Sequence, residues 1–278
     1  MARLVGVFAA SHAPLAVRAF EAAKPDDRAA AMVAYREIGK RLNAAKADIL
    51  VVVSPDHWVN FFIDNLPAVA IAVGEEHIGP PEPWMKAFPH ANLPGHPGFA
   101  QHLAESAFAN DFEPSLTYRM ELDHGICIPL WKAELDPVPA LVPVILNTVE
   151  PPMISVRRCM AWGDLIRTSI DSYPGNARIA VLATGGLSHS IGEPDMGRID
   201  EPFDYECIER FKAGDREKLL AFVDRTIEAA GNGAAEVRNW LVAHAVASDR
   251  GFENILYRSI PEWYVGCCWA AWNLQAKQ

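Results

Sequence analysis

The sequence has little that would point to an extracellular, nucleic-acid or membrane role. Its five cysteines (Cys127, Cys159, Cys207, Cys267 and Cys268) form no C-x-x-C pair and are odd in number, which fits a reducing compartment and not a disulfide framework. No run of Lys and Arg occurs, and the 278-residue chain has a formal net charge of -10. That balance argues against nucleic acid or an anionic bilayer, both of which need clustered cations. No apolar stretch approaches the roughly 20 residues of a membrane helix, and the apolar N-terminal run is too short for a secretory signal. The expectation is a cytoplasmic protein. No G-x-G-x-x-G or P-loop is present, so nucleotide cofactors are not expected, and Ser188 does not sit in a G-x-S-x-G elbow. No repeat or linker divides the chain, so a single domain over residues 1–278 is expected.

What is present is half apolar, enough for a large core. Short runs rich in β-branched residues at 4–9, 49–53, 68–73, 141–146 and 179–183 are continuous, not alternating, as strands buried on both faces should be. Helical patterns at 27–47, 98–110, 155–172 and 215–230 lie between them, and a last helix is expected over 232–247. The fold class is therefore α/β, with a mixed, mostly parallel sheet flanked by helices on both faces. The Pro- and Gly-rich segment 79–97 carries Trp84, Phe88, His90 and His96 and is expected to be a long functional loop.

Nine histidines are present, and three of them close strand-like runs. His12 follows the first run in Ser11-His12-Ala13-Pro14. His57 follows the second in Pro55-Asp56-His57. His189 follows another in Gly185-Gly186-Leu187-Ser188-His189. A fourth, His124, sits in Asp123-His124-Gly125 before an apolar run. Ligands of open α/β sheets bind beyond the carboxyl ends of the strands, so histidines arriving there separately suggest one shared site.

Glu236 adds a carboxylate. Counting by three and four, it shares a helical stripe with Gly233, Trp240, Ala243 and Ala247, an otherwise apolar face without a cation. A carboxylate buried there is costly unless paired or bound to a metal. A distant arginine or a solvated helix start would also satisfy it. Two imidazoles and one carboxylate suit a non-haem Fe(II) facial triad, and they suit a catalytic Zn equally.

Taken in order, the five motifs, with Gly231-Asn232-Gly233-Ala234-Ala235-Glu236-Val237-Arg238-Asn239-Trp240 as the last, resemble those of the class III (LigB-type) extradiol ring-cleavage dioxygenases. The likeness runs from residue 11 to about residue 268. Segments 95–102 and 157–164 also resemble members that cleave protocatechuate. The resemblance implies His12, His57 and Glu236 as ligands of a non-haem Fe(II). It implies His189 as the acid/base that takes a proton from a substrate hydroxyl, with His124 its partner across the site. It further implies a role in the breakdown of aromatic compounds, a catecholic substrate with O2, a homo-oligomer, and in some relatives a small separate lid subunit. One stretch departs from the protocatechuate-cleaving pattern: 259–268 is bulky and aromatic where those relatives are small and polar. Asp56, Trp58 and Phe61 beside His57, with Trp263 and Tyr264 in that late stretch, are the candidate substrate contacts. Asp56 and Asp123 fit equally well as turn or cap residues, and Trp58, Phe61 and Phe62 as core. A Zn-dependent hydrolase on the same His/His/Glu set, or a non-catalytic protein of this fold, are the competing readings.

Overall fold

A computed structural model describes residues 1–275. The five runs of β-branched residues are strands within two residues of where they are expected. They are β1 (Arg3–Ala10), β2 (Ile49–Ser54), β3 (Val69–Ala72), β7 (Ala140–Leu146) and β8 (Arg178–Thr184), numbered with β4 (Glu76–Gly79), β5 (Ala91–Pro94), β6 (Ser115–Thr117), β9 (Phe252–Ile260) and β10 (Val265–Trp272). Eight of them form one sheet in the order β6-β3-β7-β2-β8-β1-β10-β9. The centre, β7-β2-β8-β1, is parallel throughout. The pairs β3/β7, β1/β10 and β10/β9 are antiparallel, which makes the sheet mixed.

The continuous apolar runs have a simple cause. Alternate residues of a strand face opposite sides, and both sides are covered. Val7, Ala9, Ile49, Val51 and Val53 pack in one core with Phe99, Met160, Ile166 and Trp240. Phe8, Ala10, Leu50 and Val52 pack in the other with Tyr35, Ile38, Ile128 and Trp269. The first core lies under the helices Pro97–Phe108, Val156–Ser172, Glu201–Ala213, Arg216–Thr226 and Val237–Val246, and the second under Pro25–Ala45 and His124–Lys132.

Three expectations are revised in detail. Segment 79–97 is not a plain loop, because β4 and β5 pair antiparallel from Glu76↔Pro94 to Gly79↔Ala91 and leave only 80–90 between them. The helix expected over 215–230 ends at Thr226, with a 3-10 turn at Glu228–Ala230. The last helix is split: Asn232–Glu236 is a 3-10 turn and the α-helix proper is Val237–Val246. Among the described residues no helix is long and apolar enough to cross a membrane.

One consequence of parallel order matters most. The carboxyl ends of β1, β2, β7 and β8 lie on one side of the sheet, and the residues that leave them are His12, His57, Thr148 and His189.

Candidate active site

Beyond these strand ends lies a cavity of about 300 Å³ whose lining includes His12, His57, His124, His189 and Glu236. The five residues come from five separate stretches of chain, and the sheet topology brings them together. Glu236 arrives from the opposite side of the sequence on the 3-10 turn that leads into helix Val237–Val246. A larger hollow nearby, of about 600 Å³, shares only Asn232 with this cavity and holds none of the five.

The hydrogen bonds fix how each ring points. Thr184 Oγ1 donates to Ser54 Oγ at 2.8 Å, so it accepts from His12 Nδ1 at 3.2 Å. His57 donates both its backbone N–H and its Nδ1–H to Asp123 Oδ2, at 2.7 and 2.9 Å. Both rings therefore turn Nε2 inward, and both face Glu236 Oε1, at 3.0 Å from His12 and 3.5 Å from His57. Glu236 Oε2 accepts from the Gly186 amide at 2.7 Å. A buried carboxylate between two imidazoles needs a positive charge beside it, supplied by a proton on a ring or by a metal in that proton's place. Among the described residues no Lys or Arg lines the cavity. Arg238, two residues from Glu236, turns away to donate to the Ile154 carbonyl at 2.8 Å. The donor set fits a divalent metal held by His12, His57 and Glu236. His124 is close enough to belong to the same cluster, since one ring nitrogen each of His12, His57 and His124 lie within 4.8 Å of one another.

The electrostatics agree with this crowding. Burial alone would raise the Glu236 carboxyl, but the rings of His12 and His57 hold it well below the usual carboxylate range. Burial disfavours a charged His57, yet Asp123 and then Glu236 outweigh it and lift the ring to about 10. His124 is pushed down to about 4, first by burial and then by the neighbouring His57. Burial also lowers His189. His189 donates Nδ1–H to the Leu187 carbonyl at 3.0 Å, so its Nε2 is a free base, 3.9 Å from Glu236 Oε2.

Backbone requirements explain the glycine-rich motifs. A Cβ on Gly233 would lie 2.1 Å from His189 Nε2, so only glycine lets the imidazole pack there. Gly185 has φ +135, and a side chain on it would meet the Glu236 Cβ at 2.7 Å.

Of the candidate substrate contacts, Trp58 and Trp263 line the cavity, together with Val149, Ile191 and Val265. Asp56, Phe61 and Tyr264 are not among the lining residues. The Asp56 carboxylate accepts from the backbone N–H groups of Val59, Asn60 and Phe61, which builds the turn after β2. Phe61 packs on the core beneath the helix Pro25–Ala45. Tyr264 is 36% exposed in a left-handed turn between β9 and β10. Asp123 does two things at once: Oδ2 holds His57 while Oδ1 caps helix His124–Lys132 by accepting from the Gly125 amide at 2.9 Å. Glu82, Thr184 and Ser54 had no signal in the sequence beyond their nearness to strand ends or a Pro-rich segment. Their partners are from 42 to 172 residues away.

Comparison with known proteins bears on this geometry. Residues 6–266 match the family described as the catalytic LigB subunit of aromatic ring-opening dioxygenase. A curated 2,3-dihydroxyphenylpropionate/2,3-dihydroxicinnamic acid 1,2-dioxygenase from Paraburkholderia phymatum is 29% identical over 276 residues, covering 82% of this chain and 84% of that protein. The protein of the same name from Escherichia coli O139:H28 is 26% identical, over 92% and 94%. Among solved structures, an uncharacterized protein from Escherichia coli K12 shares the fold, with a TM-score of 0.58 at 15% identity over 87% of this chain and 92% of that one.

Proposed function

The chain belongs to the LigB family of aromatic ring-opening dioxygenases, and from this we propose an Fe(II)-dependent enzyme that opens a 2,3-dihydroxyaryl acid beside its diol. His12, His57 and Glu236 would hold the iron, and the whole chain would act as one catalytic domain. The single observation that carries the metal assignment is the convergence of His12 Nε2 and His57 Nε2 on Glu236 Oε1, with no Lys or Arg among the described residues lining the cavity. When bound there, Fe(II) supplies the electron path between diol and dioxygen that their spin-forbidden direct reaction lacks.

The chain's own residues do the rest. A diol must lose a proton to chelate, and its ordinary phenolic value near 10 is too high for neutral solution. His189 Nε2 is the acceptor, because its Nδ1–H is already committed to the Leu187 carbonyl and burial keeps the ring neutral. His124 is likewise neutral, with Nδ1 turned outward to Glu82 at 2.7 Å, and its free nitrogen handles the later proton on the opposite side. Trp58, Val149, Ile191, Trp263 and Val265 give the ring an apolar slot and exclude water from the reacting atoms. The names of the curated relatives support a propionate or cinnamate side chain on that ring. Among the described residues no Lys or Arg lines the cavity to pair with the acid group, so recognition is assigned to the diol and the ring.

The test is anaerobic purification, removal of metal by chelation, and reloading with Fe(II) or Zn(II). Oxygen uptake and yellow product are then followed with 2,3-dihydroxyphenylpropionate, protocatechuate, gallate and an aminophenol. Uptake of one dioxygen per diol with Fe(II) alone is expected, greatest with the propionate. Silence across that set, or hydrolytic activity restored by Zn(II), overturns the proposal.

A further inference from the structure

Two of the cavity histidines are gripped in the same way. Asp123 Oδ2 accepts from both the backbone N–H and Nδ1 of His57, and Glu82 Oε1 accepts from both the backbone N–H and Nδ1 of His124, at 2.8 and 2.7 Å. Glu82 comes from the segment between β4 and β5, where Pro80, Pro81 and Pro83 restrict the backbone around it. Its Oε2 is buried without a hydrogen-bond partner, and among the described residues His124 is its one ion-pair partner. A carboxylate so placed is costly to bury. Asp123 caps helix His124–Lys132 at the Gly125 amide and Glu82 takes the His124 amide, but capping does not account for the further bond from Glu82 to the imidazole. Two residues further on, Trp84 lies against the same imidazole, with ring centroids 5.4 Å apart.

We propose that Glu82 is a positioning residue for ring opening: it holds His124 with Nδ1–H outward and Nε2 free toward the cavity. The role rests on the ring-opening function proposed above. Glu82 is not among the residues that line the cavity, and acts only through His124. Carboxylate partners of this kind set imidazole tautomer and ring orientation.

Glu82→Ala and Glu82→Gln in the iron-loaded enzyme, with histidine ¹⁵N NMR of the Zn(II)-loaded protein, test this. Glu82→Ala should lower kcat by about 10- to 100-fold, the range for losing an imidazole's carboxylate partner, with KM for the diol and iron content little changed. Glu82→Gln keeps an oxygen acceptor for both N–H groups and should recover most of that loss. In the wild type, the His124 signals should report a protonated Nδ1 and a bare Nε2. A wild-type kcat in the alanine variant, a loss confined to KM, or a His124 protonated at Nε2 in the wild type would each sink the role. If the alanine variant does not fold, the wild-type tautomer and the glutamine kinetics still decide. A wild type that opens no diol ring defeats the functional proposal instead, and the NMR result then judges the Glu82–His124 grip by itself.

Discussion

At the scale of single residues, the site is a set of rings whose outer nitrogens are tied down and whose inner nitrogens face one cavity. Glu236 Oε1 is a carboxylate oxygen shared by His12 and His57. Glu236→Gln removes the negative charge while keeping the shape, so metal affinity should fall by more than the 10- to 100-fold typical of outer partners. Competition against a chromophoric chelator measures it, and unchanged affinity would remove Glu236 from the ligand set. Gly233 tests the proposed base, His189, separately. A methyl at Gly233 would overlap His189 Nε2, so Gly233→Ala should cost kcat about 100-fold or more, as loss of a general base does. Metal content should stay at the wild-type level. A variant with normal turnover would show that His189 Nε2 is not needed where the structure puts it.

At the scale of elements, the position of Glu236 depends on how closely two helices approach. Helices Val156–Ser172 and Val237–Val246 meet at Gly163, where an added Cβ would sit 2.4 Å from the Val242 carbonyl and 2.5 Å from Ala245 Cβ. Gly163→Ala therefore overpacks the contact and should cost about 1–3 kcal/mol. That corresponds to about 2–4 °C in Tm for each kcal/mol in a protein of this size. Calorimetry of the metal-free protein reads it, and an unchanged Tm would mean that the helices separate without cost. The element boundaries were legible where one physical rule dominates. β1, β2, β7 and β8 have both faces covered, so their apolar runs stand out. Helix Glu201–Ala213 has only the buried stripe Phe203, Cys207, Ile208 and Phe211 among charged residues, and β9 is half-exposed, so neither shows so strongly in composition.

At the scale of the whole molecule, Asp204 ties three distant parts together. It accepts from the Ser188 amide and hydroxyl after β8 and from the Tyr257 hydroxyl on β9, while lying on helix Glu201–Ala213. Burial outweighs these donors and raises the carboxyl to about 7. A folded value above the unfolded one near 3.9 means that its stabilisation is full below about pH 4. It is lost as pH rises through about 7. Between those limits the unfolding free energy should decline with a slope of up to about 1.4 kcal/mol per pH unit from this group. Asp204→Asn should flatten that decline in denaturant titrations run from pH 4.5 to 7.5. An identical slope in both proteins would place the proton elsewhere.

The chain by itself determined the layered α/β class and the central strands, and it singled out His12, His57, His124, His189 and Glu236, which line one cavity. Burial on both faces and turns at strand ends are local rules that leave local traces. It did not determine the partners of those rings. Asp123 as the holder of His57, Glu82 as the holder of His124, and Thr184 with Ser54 behind His12 became visible only when parallel strands set their ends side by side. The same holds for the separation of Trp58 and Trp263, which face the cavity, from Asp56, Phe61 and Tyr264, which do not. A hydrogen bond between residues far apart in sequence has no period or spacing to announce it, and the fold alone supplies the distance.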